Sequence, residues 1–269
     1  MIIDAHIHIG KLPHSLYSES YQKNLDLVMK EAKDNNVDKL VIIAGLEKED
    51  GLNLTTKSLL SLISGHENVY AVAGIHIDYE KDYLEQLDGW FKEKKIIGIK
   101  FHTGYQHFYP DNERCIPIYK LCLKYDVPVI FHSGDTLAGY VSNPKIKYSH
   151  PIHIDDVATD FPDLKIVVAH MGNPWLIDCA EVMYKNPNVY ADISGLVIGD
   201  ELYTPYGEVM KKRIQELVEY TAPEFKLLYG TDWPLCHMKQ YIEFAKNLGF
   251  SDSNIEKLFS GNAKQMFKL

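Results

Sequence analysis

Pro128-Val129-Ile130-Phe131-His132 sets the pattern of the chain: an apolar, β-prone run that closes on a side chain able to do chemistry. The design returns in Ile166-Val167-Val168-Ala169-His170 and in Leu227-Leu228-Tyr229-Gly230-Thr231-Asp232. Runs of this kind predict strands over Ile2–His6, Lys39–Ala44, Val69–Gly74, Ile96–Phe101, Val127–Phe131, Lys165–Ala169, Asn188–Asp192 and Lys226–Tyr229. From Ile2 to Lys226, 224 residues fall into seven intervals, a mean of 32, which is the size of a strand-helix-strand unit. Asn24–Asp34, Arg114–Tyr125, Trp175–Lys185 and Glu208–Tyr220 carry apolar residues at helical spacing between them. Alternation of this kind implies parallel strands joined by right-handed crossovers. The expected fold is α/β: a single (β/α)8 TIM barrel over residues 1–269. Short C-terminal helices over Asn254–Phe259 and Asn262–Phe267 cap it. A doubly wound sheet is disfavoured, since no GxGxxG follows the first strand and no GxxxxGK loop occurs.

Composition narrows the partners. The 269 residues are 46% hydrophobic and 24% charged, the balance of a globular chain with a sizeable core. The longest apolar stretch, Leu40 to Leu46, is far below the ~20 residues of a membrane span. The net charge of −9 repels a phosphate backbone, so neither nucleic acid nor membrane is an expected partner. Met1-Ile2-Ile3-Asp4-Ala5-His6 lacks a basic n-region, which makes the cytoplasm the expected compartment. Cys115, Cys122, Cys179 and Cys236 form no CxxC pair and read as reduced packing thiols; the sequon at Asn53 reads as chance.

The chemistry lies at strand ends, the face where barrel enzymes place their sites. In His6-Ile7-His8 the alternation of a strand turns both imidazoles the same way, a pair suited to zinc or a similar divalent ion. A lone HxH is weak, and one buried His or Asp closing an apolar strand is usually only a hydrogen-bonded core residue. With His132, His170 and Asp232 closing three further strands, that bland reading loses ground. Lys100 and His102 end the fourth strand on one face. Lys100 is open to three roles: receiving a substrate carboxylate, becoming a carbamate that bridges two metals, or pairing with Asp4. His76 reads as packing. The loops 133–151, with Gly134, Gly139 and Tyr140, and 193–206 read as substrate walls, and Tyr105, Phe108, Tyr109, Tyr203 and Trp233 as rim aromatics. No GxSxG elbow or HExxH helix is present.

Asp4-Ala5-His6-Ile7-His8, Gly98-Ile99-Lys100-Phe101-His102, Phe131-His132-Ser133-Gly134, Ala169-His170-Met171-Gly172, Asp192-Ile193-Ser194-Gly195, Gly230-Thr231-Asp232-Trp233-Pro234 and Gly261-Asn262-Ala263 occur in this order. Together they resemble the amidohydrolase superfamily, in the branch of amidohydrolase-related proteins that includes relatives of aminocarboxymuconate semialdehyde decarboxylase. The resemblance runs end to end. It implies a distorted barrel with one divalent metal on His6, His8, His132 and Asp232, and His170 beside it as base or carbonyl polariser. It also implies a second metal if Lys100 is carboxylated. Gly74-Ile75-His76 is similar to TatD-type deoxyribonucleases, but their fourth-strand glutamate is missing.

The expected activity is that of a metal-dependent hydrolase. It would use metal-activated water on a small carboxylated ester, lactone or amide, with zinc the expected ion. Asp232 would ligate and accept a proton, His170 would orient or shuttle, and Lys100, His102 and Trp233 would hold the substrate. Hydrolysis is preferred because the compact chain has no large insertion to enclose a carbanion-like intermediate. The alternatives are a non-oxidative decarboxylase of a small unsaturated or aromatic acid, and a metal-binding protein without activity. The partner is a small molecule, and a homodimer is compatible with this reading.

Overall fold

The computed structural model describes residues 1–10, 20–45, 54–136 and 142–269. Gly139, Tyr140 and the sequon residue Asn53 lie outside these. Eight parallel strands run in chain order: β1 Ile3–Ile7, β2 Lys39–Ile43, β3 Val69–Gly74, β4 Ile96–Phe101, β5 Val129–Phe131, β6 Ile166–Val168, β7 Val189–Asp192 and β8 Leu227–Leu228. The sheet is a nearly closed TIM barrel, and three backbone hydrogen bonds join β1 and the residue after it to the chain just past β8. Ala5 donates to the Tyr229 carbonyl at 2.9 Å, Asp232 to His6 at 2.8 Å and His8 to Trp233 at 2.9 Å. Around it lie α1 Tyr21–Asp34, α2 Thr56–Leu62, α3 Lys81–Lys92, the single turn α4 Thr103–Gln106, α5 Ile116–Tyr125, α6 Ile154–Asp160, α7 Leu176–Lys185, α8 Pro205–Tyr220 and α9 Met238–Lys246. The chain ends in α10 Asp252–Glu256, a π-turn over Lys257–Gly261 and α11 Asn262–Phe267.

Where strands are shorter than the apolar pattern predicts, backbone bonding explains it. Strand β5 begins at Val129 rather than Val127, because Val127 N–H bonds back to the Cys122 carbonyl of α5 and Pro128 has no N–H to give. Strand β8 stops before Tyr229, whose N–H donates to Leu258 of the C-terminal segment instead of a sheet neighbour.

Two layers of core follow from the alternation of strand side chains. Facing outward, Leu40, Ile42, Ile99, Phe101, Val129 and Val168 meet helix residues such as Leu25, Val28, Ile118 and Ile214. Facing inward, Ile3, Ala5, Val41, Ile43, Val72, Ile130, Val167 and Leu228 fill the barrel, and α11 plugs it with Ala263, Met266 and Phe267. Each fully buried aliphatic side chain contributes roughly 1.5–3 kcal/mol. The aliphatic fill thus occupies one end of the barrel and leaves the strands' C-terminal ends to polar groups.

Candidate metal centre

The register of β1 shifts between Asp4 and Ile7. Ala5 belongs to the inner core and Ile7 to the outer layer, so the shift is what lets His6 and His8 both face inward. Asp4 does not reach for Lys100. Its oxygens accept from Thr231 N at 3.0 Å, Thr231 Oγ1 at 2.6 Å and His6 N at 3.3 Å, latching β1 to the chain after β8. Burial pushes the Asp4 carboxyl up to about 7.

His6 Nε2 lies 3.2 Å from His8 Nε2, and the Asp232 Oδ1 atom is 3.7 and 3.5 Å from them. Burial, then the Lys100 charge, lowers both imidazoles to about 3, so both are neutral at physiological pH. A carboxylate only accepts, so the 2.8 Å contact of His6 Nδ1 with Asp192 Oδ2 puts the proton on Nδ1 and the lone pair on Nε2. His8 is hydrogen-bonded to the Ile43 backbone. Imidazole nitrogens held this close beside a carboxylate form a donor set that fits a divalent ion. Asp232 adopts φ +56°, and the chain packs tightly beneath it: a Cβ on Gly195, itself at φ +63°, would stand 2.8 Å from Asp232 Oδ2.

His6, His170 and Asp192 form a second three-donor group. Its atoms are already committed to one another and to the backbone. Asp192 Oδ1 accepts from His170 N at 2.9 Å and Ser194 N at 3.1 Å, and also from the Ser194 hydroxyl. His170 Nδ1 is 2.9 Å from both the Ser194 carbonyl and its Oγ. Burial alone would raise Asp192, but the His6 contact, with His170 and Lys100 nearby, holds it well below the usual carboxylate range. This group serves as support behind the first.

The remaining expected residues divide. His132 stands with its ring 5.0 Å from that of His170, and its Nε2–H donates to the Asp135 carbonyl at 2.8 Å, which leaves Nδ1 as its lone-pair nitrogen. It belongs to neither three-donor group. Lys100 is wholly buried, 3.4 Å from His6 Nε2, and burial lowers it to about 8. His102 stacks on His132 at 6.0 Å, and its Nδ1 is buried without a hydrogen-bond partner among the described residues. Trp233 is not brought to the mouth: it is fully buried, and its Nε1–H donates to Glu31 of α1 at 2.9 Å. His76 accepts the Asp78 amide in its own loop. A cavity of about 240 Å³ opens over the site, lined by Tyr105, His132, His170, Ile198, Asp232 and Leu235 among others.

Sequence reasoning assigned no role to Asp192 or Ser194. The signal was present, since Asp192 closes Val189-Tyr190-Ala191 as His132 and His170 close their strands.

Residues 3–269 match the family model for amidohydrolases, and the chain belongs to that family. Over 117 residues it is 26% identical to the gamma-resorcylate decarboxylase of a Polaromonas strain, a match covering 40% of this chain and 36% of that protein's length. An uncharacterised TIM-barrel protein of Bordetella bronchiseptica superposes with a TM-score of 0.76 at 23% identity, covering 99% of this chain and 98% of the other. A probable 2-pyrone-4,6-dicarboxylic acid hydrolase of Acinetobacter baumannii, with citric acid bound, gives 0.69 at 14% identity, covering 100% and 99%. A dihydroxybenzoic acid decarboxylase of Polaromonas, with manganese and 2-nitroresorcinol bound, gives 0.70 at 14%, covering 100% and 97%. The fold is common to the three solved structures.

Proposed function

We propose that this chain is a metal-dependent, non-oxidative decarboxylase of a small aromatic carboxylic acid. The cavity carries this reading. Its volume of about 240 Å³ lies below the roughly 300–1,000 Å³ of drug-sized pockets, which suits a single ring. Tyr105, Ile198 and Leu235 offer that ring an apolar wall, while Asp232 and His170 stand on the chemical side. The resorcylate and dihydroxybenzoate decarboxylases among the similar proteins support the same choice. The expectation of hydrolysis rested on compactness, and that ground is weakened, because a barrel matched over 97% of its own length is a decarboxylase.

His6, His8 and Asp232 would hold the ion, with His132 Nδ1 as a fourth donor from the facing wall. When bound, a divalent ion supplies positive charge that polarises substrate oxygens. The manganese of the dihydroxybenzoate enzyme favours manganese over the zinc expected from ligand types alone. Lys100 adds a buried ammonium beside His6, a partner for the carboxylate that will leave. As the bond between ring carbon and carboxylate breaks, its electron pair stays on the ring carbon. His170, its Nδ1–H tied to Ser194, takes up a proton from solvent at Nε2 and delivers it to that carbon as carbon dioxide departs, returning to the neutral ring.

The test is to load the purified chain with manganese or zinc and incubate it with a panel of hydroxybenzoates and of lactones. Carbon dioxide with the matching arene is expected. Lactone opening without carbon dioxide release would overturn decarboxylation in favour of the hydrolytic reading.

A further inference from the structure

Asp192 has two oxygens facing two different parts of the site, and the donors are unevenly shared. Oδ2 takes one, the Nδ1–H of His6 at 2.8 Å. Oδ1 takes three: the amides of His170 and Ser194 and the Ser194 hydroxyl. The His170 amide belongs to a residue at φ +58°, followed by Met171 at +48° and Gly172 at +63°. A left-handed backbone at consecutive non-glycine residues is costly and persists only where neighbours hold it. The Ser194 hydroxyl spends its single proton on Asp192, so its oxygen can only accept, from His170 Nδ1 at 2.9 Å and more distantly from His6 Nδ1 at 3.1 Å. With the Ser194 carbonyl at the same 2.9 Å, His170 Nδ1 must be the protonated nitrogen.

We infer that Asp192 is a positioning residue that sets both imidazoles at once: directly at His6, exposing Nε2 to the ion, and through Ser194 at His170, exposing Nε2 to the cavity. The inference rests on the reading of His6 as a metal ligand. Only a carboxylate can fill this post, because an amide has one accepting atom and one donating atom. In Asp192→Asn the amide oxygen goes where three donors converge, and the NH₂ turns to His6. Donation from that NH₂ needs a lone pair on His6 Nδ1 and moves the His6 proton to Nε2, where it blocks the ion. His170 keeps its tautomer.

Two measurements on the intact chain read this, neither requiring turnover. In the metal-free protein, ¹⁵N imidazole spectra should report Nδ1–H at both His6 and His170. In Asp192→Asn they should report Nε2–H at His6 and an unchanged His170. Competition against a chelator should then show manganese or zinc affinity falling roughly 10–100-fold, the usual effect of losing a ligand's outer partner. Ser194→Ala removes the hydroxyl but keeps the carbonyl that accepts from His170 Nδ1, so Nδ1–H should persist at His170, and at His6 through Asp192. An Asp192→Asn protein whose His6 stays Nδ1–H with undiminished affinity overturns the inference, and so does a Ser194→Ala protein in which His6 changes. A wild-type chain that binds no ion yet shows the tautomer pattern would defeat the metal reading and leave the positioning role supported. If Asp192→Asn fails to fold, Ser194→Ala decides alone by the same spectra.

Discussion

The two walls of the barrel mouth are built differently. On the wall made by β6, β7, β8 and β1, the polar groups described above are joined. Asp4 holds Thr231, Asp192 holds His6, Ser194 and His170, and Asp232 rests on the His6 carbonyl by its amide. On the wall made by β4 and β5, among the described residues, Lys100 has a hydrogen-bond-range contact across the barrel at His6 and feels the charges of Asp192 and Asp232, and His102 Nδ1 has no partner. Finished hydrogen bonding marks a surface whose geometry is set before anything binds, and a buried polar atom without a partner marks one completed by what binds. In the proposed reaction the first wall would be the frame that holds an ion and aims a proton, and the second the place where a substrate supplies the missing partners.

If that contrast is correct, damage to the built wall should be costlier. Asp232→Asn keeps a residue that tolerates φ +56° but replaces the carboxylate proposed as a ligand. Metal affinity should fall by more than the roughly 100-fold upper range for an outer partner, leaving well under one equivalent by elemental analysis, and turnover should vanish with it. Retention of a full equivalent of metal would remove Asp232 from the ligand set. His170→Asn, also compatible with its left-handed backbone, should keep its metal and lose roughly 10²–10⁴ in turnover. Loss of the metal instead would make His170 a ligand and merge the two donor groups.

Acid tests both walls together. His6 and His8 are lowered to about 3 by burial and Lys100, and His102 and His132 lie well below their ordinary value for the same first reason. In unfolded chains these imidazoles titrate near 6.5, so below that pH the unfolded state binds more protons than the folded one. Stability is therefore complete above about pH 6.5 and falls as pH drops toward 3, by at most about 1.4 kcal/mol per pH unit for each histidine. Thermal unfolding of the metal-free protein between pH 7 and 4 should show this decline, and a flat profile would mean that water reaches these rings. The smallest effect is expected on the open wall. His102→Gln should leave the ion in place and raise the KM for a carboxylate substrate roughly tenfold, the worth of one hydrogen bond to a charged group. Loss of metal in that variant would move His102 to the built wall.

Much of this was legible in the chain. Strands β3 and β4 begin and end where their patterns predict, because a largely buried parallel strand needs a mainly apolar run, interrupted in β4 by Lys100, and a polar residue marks its exit. His6, His8, His132, His170 and Asp232 share the mouth because exits of parallel strands share one face of a barrel. What a side chain meets beyond that exit depends on the backbone just past it, where alternation stops. At Trp233 the chain has turned, so the indole runs to Glu31 of α1, 202 residues away, rather than into the cavity. His170 aims at Ser194 through a left-handed turn that no local pattern announces. The partnership of Asp192 with His6 spans 186 residues and forms only when β7 and β1 stand near each other across the closing barrel. The sequence alone determined which residues reach the mouth, since burial and strand period are local properties. Which of them touch, and which nitrogen each exposes, was decided by tertiary structure, since a hydrogen bond depends on ångström distances between strands far apart in the chain.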